Sequence, residues 1–183
     1  EPYVQLVLRQ KVEPVVTLKG GIKDLKYRVY EGQWERLPDF DKLEPVSEGT
    51  LPGGLVDLAV SKRKEKYGMV FTGSLESPKA GEYLFEIASD DGGRLFINGK
   101  KVVEHDGLHG AQLKKGSIKL EPGKHTIRIE YFAYGQPNSF RAGWGGAGMA
   151  HTQLSVGSLR EPKNNTKKPS NEVPLLIRAM QDG

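Results

Sequence analysis

The stretch that decides the fold is Glu82-Tyr-Leu-Phe-Glu-Ile-Ala-Ser-Asp-Asp-Gly-Gly-Arg-Leu-Phe-Ile-Asn-Gly-Lys100. Its first part alternates with period two and sets Tyr83, Phe85 and Ile87 on one face, the pattern of a strand with one buried side. Ser89-Asp-Asp-Gly-Gly93 reads as a polar, Gly-rich loop. Residues 94–97 read as a second strand, and Asn98-Gly99 is the strongest short hairpin signal in the chain. Residues 100–105 return as its partner. A two-residue turn would place Leu95 opposite Val102 and Arg94 opposite Val103. The strands between Tyr83 and His105 are therefore expected to be adjacent and antiparallel around Asn98-Gly99.

Downstream, Asp106-Gly-Leu-His-Gly110 is a second polar loop. Residues 116–120, the turn Glu121-Pro-Gly-Lys124 and residues 125–132 read as strand, turn, strand, with Ile127, Ile129 and Tyr131 on one face. Residues 134–139 form a loop and 140–144 a last strand. Upstream, residues 25–30, 55–60 and 67–73 read as strands. Trp34, Leu37, Phe40 and Leu43 are apolar anchors in a long polar loop. Residues 3–9 and 12–18 read as extended, the second broken by Pro14. Residues 158–173 have a linker composition, and 173–180 regain apolar character. Short strands at this spacing, without an amphipathic helix of useful length, predict an all-β antiparallel sandwich or barrel.

Composition narrows the class. A chain of 183 residues fits one domain with some trim. The 23 Gly and 11 Pro favour many short strands over long helices. No apolar run approaches the roughly 18 residues of a spanning helix. Zero cysteines exclude disulfides, thiolate metal sites and cysteine nucleophiles. A net charge of +4 is weak support for nucleic acid. The basic run Lys62-Arg-Lys-Glu-Lys66 has no aromatic stacking partner, so a nucleic-acid module is disfavoured. There is no G-x-S-x-G, P-loop or paired-His signature, which argues against an enzyme.

Residues 27–154 resemble the PA-14 domain, the protective-antigen-like β-sandwich of secreted glycosidases, adhesins and toxins. The resemblance rests on Tyr27-Arg-Val-Tyr-Glu-Gly-Gln-Trp34 with Leu37-Pro-Asp-Phe40, on Val70-Phe-Thr-Gly73 with Pro78-Lys-Ala-Gly-Glu-Tyr-Leu-Phe85, on residues 88–100, and on Leu120-Glu-Pro-Gly-Lys-His-Thr-Ile-Arg-Ile-Glu-Tyr131. It implies an antiparallel β-sandwich over residues 27–155, preceded by a β extension over 1–26 and followed by a linker-like tail over 156–183. It also implies carbohydrate recognition by a non-catalytic module of a larger bacterial protein that is secreted, periplasmic or on the cell surface. The alternative is a structural or protein-interaction module that positions neighbouring domains of the same polypeptide and takes no small ligand.

Asp90-Asp91 suits a hard cation such as calcium, which takes six to eight oxygens. Neighbouring side chains in extended backbone point to opposite faces, so joint ligation needs a special backbone, for instance a cis peptide costing about 3–4 kcal/mol. The sugar-binding adhesin branch of the resembling family has such a cis pair on calcium, with an added Asn, and Asn138 stands at the matching position. The other reading is a structural corner in which Asp90 caps the turn and Asp91 sits in solvent. Asp106 and His109 follow the hairpin strand and are candidate ligand contacts, although a lone exposed His109 makes no zinc site. Tyr134 and Trp144 are candidate sugar platforms, Trp144 also reading as core. Arg94 and Arg141 are candidate donors to hydroxyls or carboxylates, or surface ion pairs.

Overall fold

In the computed structural model the described residues are 21–157. The expected strands at 3–9 and 12–18 and the expected linker at 158–173 lie outside them. Among the described residues ten antiparallel strands build two sheets: β1 (Lys23–Glu31), β2 (Ser47–Thr50), β3 (Tyr67–Ser77), β4 (Gly81–Asp90), β5 (Gly93–Ile97), β6 (Lys100–His105), β7 (Gln112–Leu120), β8 (Gly123–Ala133), β9 (Ser139–Gly146) and β10 (Met149–Gln153). The larger sheet has the order β2-β1-β3-β8-β5-β6, the smaller β10-β9-β4-β7. The all-β sandwich is the expected architecture.

The core lies between the sheets, and the period-two faces read from the sequence supply it. Tyr83, Phe85 and Ile87 of β4 face Ile127, Ile129 and Tyr131 of β8, and all six are at most 2% exposed. Burying each side chain contributes roughly 1.5–3 kcal/mol. A smaller apolar cluster sits under the long loop after β1: Tyr30, Phe40 and Val70, with Trp34, Leu37 and Leu43 against them. The Phe40 ring lies 5.0 Å from Tyr30 and 6.0 Å from Trp34. These anchors fix the loop against the outside of the larger sheet.

Several expectations are corrected. β4 and β5 lie in different sheets, so residues 91 and 92 form a crossing between the sheets rather than a hairpin loop. The crossing is tight because a Cβ on Gly92 would stand 2.4 Å from the Phe132 ring. The hairpin at Asn98-Gly99 is present, but its register differs: Phe96 pairs with Lys101 and Leu95 with Val103. Val102 is thus a bulge. Skipping one residue keeps Leu95 and Val103 both on the core face, at 0% and 3% exposure. Residues 55–60 are not a strand. Val56 makes one bridge to Ser155, and Leu58–Ser61 is a 3-10 turn whose start is capped by Asp57, Oδ1 accepting from Ala59 N at 2.9 Å. Two short edge strands, β2 and β10, carry no apolar alternation and so give no local strand signal.

Candidate functional site

The ends of β1, β4, β6 and β8 and the starts of β3, β5, β7 and β9 fall at one end of the sandwich. The connecting loops 32–39, 62–66, 91–92, 106–111 and 134–138 therefore gather there. Asp90 and Asp91 stand in the middle, at the crossing, and the peptide between them is cis.

The two aspartates do different work. Asp91 is 9% exposed, and its carboxylate accepts backbone N–H groups from two loops, His109 N on Oδ1 at 3.2 Å and Tyr134 N on Oδ2 at 2.8 Å. It ties the 106–111 and 134–138 loops to the crossing, whereas the corner reading had placed Asp91 in solvent and given the capping to Asp90. The Asp90 carbonyl accepts from the Tyr131 hydroxyl at 2.6 Å, anchoring the backbone below. Burial, and then the charge of Asp91, push the Asp90 carboxyl above the usual 3.8, with His109 opposing them. The geometry thus sets two carboxylates side by side, Asp91 committed to two backbone amides and Asp90 pushed towards its neutral form.

Asp106 lies beside the crossing: a Cβ on Gly92 would stand 3.4 Å from its Oδ1. Its Oδ1 accepts from Leu37 N at 2.6 Å and Gly107 N at 2.8 Å, and Oδ2 lies 3.7 Å from Arg36. His109 stacks on His105 with ring centroids 3.4 Å apart. The Tyr134 hydroxyl accepts from Gln33 Nε2 at 2.8 Å. The Asn138 amide donates to the Lys64 carbonyl and so joins the basic 62–66 loop to the same end. Arg141 pairs with Ala88 in the register, diagonal to Asp90 on the smaller sheet.

Two of the candidates follow their structural alternative, core packing for Trp144 and an ion pair for Arg94, away from the loop end. Trp144 is in the core, 3% exposed and stacked on Tyr83 at 5.3 Å and Phe85 at 5.4 Å, so no sugar reaches its ring. Arg94 projects from the outer face of the larger sheet, where it pairs with Glu130 and donates to the Pro38 carbonyl at 3.2 Å. Among the described residues no three His, Cys, Asp or Glu side chains form a metal-holding group. Any cation here would draw on the two aspartates and on oxygens that are not carboxylates.

Sequence reasoning missed two features. Gln33 reaches the site only through a contact 101 residues away in the chain, which no local pattern announces. Ser77, His125 and Asn98 also converge, with Ser77 Oγ 3.0 Å from His125 Nε2 and Asn98 Nδ2 2.9 Å from His125 Nδ1. The spacing is that of a nucleophile, base and orienter, but the protons are wrong for it. Asn98 Oδ1 accepts from Thr126 N at 3.0 Å, so its Nδ2 donates to His125 Nδ1. His125 Nε2 then carries the proton, 2.8 Å from the Glu121 carbonyl, and Ser77 Oγ donates to the same carbonyl at 2.5 Å. The group fastens the Asn98-Gly99 turn to the start of β8 and the end of β3.

The PA14 domain profile matches residues 59–169, and the chain belongs to the PA14 domain family. It is 26% identical over 106 residues to anti-sigma-I factor RsgI3 of Acetivibrio thermocellus, a match covering 57% of this chain and 16% of that protein. An anti-sigma factor domain-containing protein of known structure superposes with a TM-score of 0.59 at 21% identity, over 76% of this chain and 50% of the other. A PA14 sugar-binding domain from an RTX adhesin superposes with a TM-score of 0.55 at 21% identity, over 74% of this chain and 99% of that one. The chain thus spans at most half the length of the first two proteins, and nearly all of the third.

Proposed function

We propose that the chain is a non-catalytic carbohydrate-binding module of a larger exported protein, and that its loop end takes the sugar with calcium held by Asp90 and Asp91. The observation that carries this reading is the placement of the adjacent Asp90 and Asp91 carboxylates at the centre of five converging loops, Asp91 held by two loop amides. Two carboxylates fall short of a calcium shell, which leaves positions for backbone carbonyls, water and sugar hydroxyls. When bound, the ion would supply a Lewis-acidic centre for vicinal hydroxyls. The chain's own part is to hold Asp91 fixed through the His109 and Tyr134 amides and to leave Asp90 the less committed carboxylate. Asp106, Tyr134, Asn138 and His109 border the mouth as hydrogen-bonding groups. Membership of the PA14 family and superposition on a domain described as sugar-binding support the reading. A secreted, periplasmic or surface location follows from the same reading.

Asp91 favours a second reading, a protein-interaction or structural module, because its two backbone contacts also make it a fold-stabilising corner. A glycan array probed with the chain in calcium and in chelator separates the two. Sugar signals that vanish in chelator and in Asp90→Asn support the calcium-dependent module. Signals that persist in chelator sink the calcium mechanism and leave direct hydrogen bonding. An array silent in both conditions favours the interaction module.

A further inference from the structure

A second surface stands apart from the loop end: the outer face of the larger sheet. One residue from each of its six strands lies in a single cross-strand row, Thr50, Lys26, Thr72, Arg128, Phe96 and Lys101. At about 4.8 Å per strand the row runs about 24 Å, from one edge of the sheet to the other. Open space follows it. A cavity of 680 Å³ over β3, β8 and β5 adjoins one of 430 Å³ over β1 and β2, and the two share Thr72 and Arg128. Either volume lies within the range of small-molecule sites, about 300–1,000 Å³.

The floor is organised before any ligand arrives. Glu130, 3% exposed, accepts from Arg128 Nε at 2.6 Å and also pairs with Arg94. Arg128 reaches Asp41 at 2.9 Å on the wall made by the long loop. Each guanidinium carries five donors, so both keep N–H groups for the groove while their positions are held. The Arg94 guanidinium lies 5.6 Å above the Phe96 ring, which supplies a half-exposed apolar patch. Thr72, exposed in mid-groove, offers a hydroxyl and a methyl. Five cations line the two cavities against four carboxylates, nearly balanced. Such balance is a poor match for a polyanion, which favours clustered basic charge. Fixed planar polar groups beside an aromatic patch suit a neutral, amphipathic, hydroxyl-rich ligand, and preorganisation lowers the ordering cost of binding.

From this we infer that the sheet face is a second carbohydrate site, and that it takes an internal stretch of a linear neutral polysaccharide laid across the strands. It is independent of Asp90, Asp91 and any ion there. The test is isothermal titration of the chain with cellohexaose, xylohexaose and mannohexaose. Thr72→Trp fills the junction of the two cavities from an exposed position, and Phe96→Ala removes the apolar patch. Melting curves establish that both variants fold. The expected result is binding of at least one hexaose in chelator, unchanged by Asp90→Asn and weakened about tenfold or more by each groove variant. The inference is overturned if none of the three hexaoses binds the folded chain. It is equally overturned if binding survives Thr72→Trp, or if binding requires calcium and is lost with Asp90→Asn, which would return the ligand to the loop end.

Discussion

Replacing each of the paired aspartates by asparagine should have opposite consequences for the calcium-free protein. Asp91 Oδ1 and Oδ2 each accept a backbone N–H, at 3.2 and 2.8 Å, in a site 9% exposed to solvent. Asparagine offers one acceptor oxygen, so Asp91→Asn keeps one contact, loses the other and turns an NH₂ towards an N–H. A hydrogen bond to a charged group contributes about 1.5–3 kcal/mol. At about 2–4 °C per kcal/mol for a chain of this size, the melting temperature should fall by about 3–12 °C. Asp90 is the reverse case. Burial and the charge of Asp91 hold its carboxyl above the usual 3.8, so ionised Asp90 at neutral pH is unfavourable to the fold. Asp90→Asn removes that charge and should leave the calcium-free melting temperature unchanged or raise it. Calcium at a hundredfold excess over Kd should stabilise the wild type by about 2.7 kcal/mol, and Asp90→Asn should abolish the response. The assay is thermal melting followed by circular dichroism, in chelator and in calcium. If Asp90→Asn lowers the chelator melting temperature as far as Asp91→Asn does, or if Asp91→Asn melts like wild type, the division of labour between the two residues is wrong.

Gly116→Ala should destabilise by about 1–3 kcal/mol as overpacking, because its Cβ would stand 1.9 Å from the Val102 carbonyl oxygen at the bulge. Gly110→Ala is the matched control, having nothing within 4 Å of its Cβ, and equal melting of the two variants would refute the close approach. His105 carries a pH prediction. Burial, then the charges of His109 and Lys114, hold its imidazole below the usual 6.5. The unfolded chain then binds the proton more tightly, so this stabilisation is complete above pH 6.5 and is lost as pH falls from there through the lower value His105 has in the fold. Urea midpoints measured from neutral pH downward should fall accordingly, and His105→Gln should flatten the decline; an unaltered slope in the variant would assign the effect to other groups.

The sequence alone determined the fold class and most of the core. Alternation in residues 82–88 and 125–132 named the buried faces of β4 and β8, because a strand's period of two is a local property. Asn98-Gly99 marked its hairpin because a tight turn needs backbone conformations those residues adopt readily; Asn98 has φ of 50° and Gly99 of 76°. What sequence could not assign was partnership. That β4 and β5 sit in different sheets, that Val102 bulges, and that Trp144 stacks inside rather than at the mouth all depend on long-range packing between the two layers. At the loop end, Asp90-Asp91 stood out by its composition, yet only the tertiary structure decided which carboxylate binds the neighbouring loops and which stays less committed. Its partners, His109 and Tyr134, lie 18 and 43 residues from Asp91. The groove across the larger sheet was wholly invisible, because its six residues come from six strands and share a row only once the register is set.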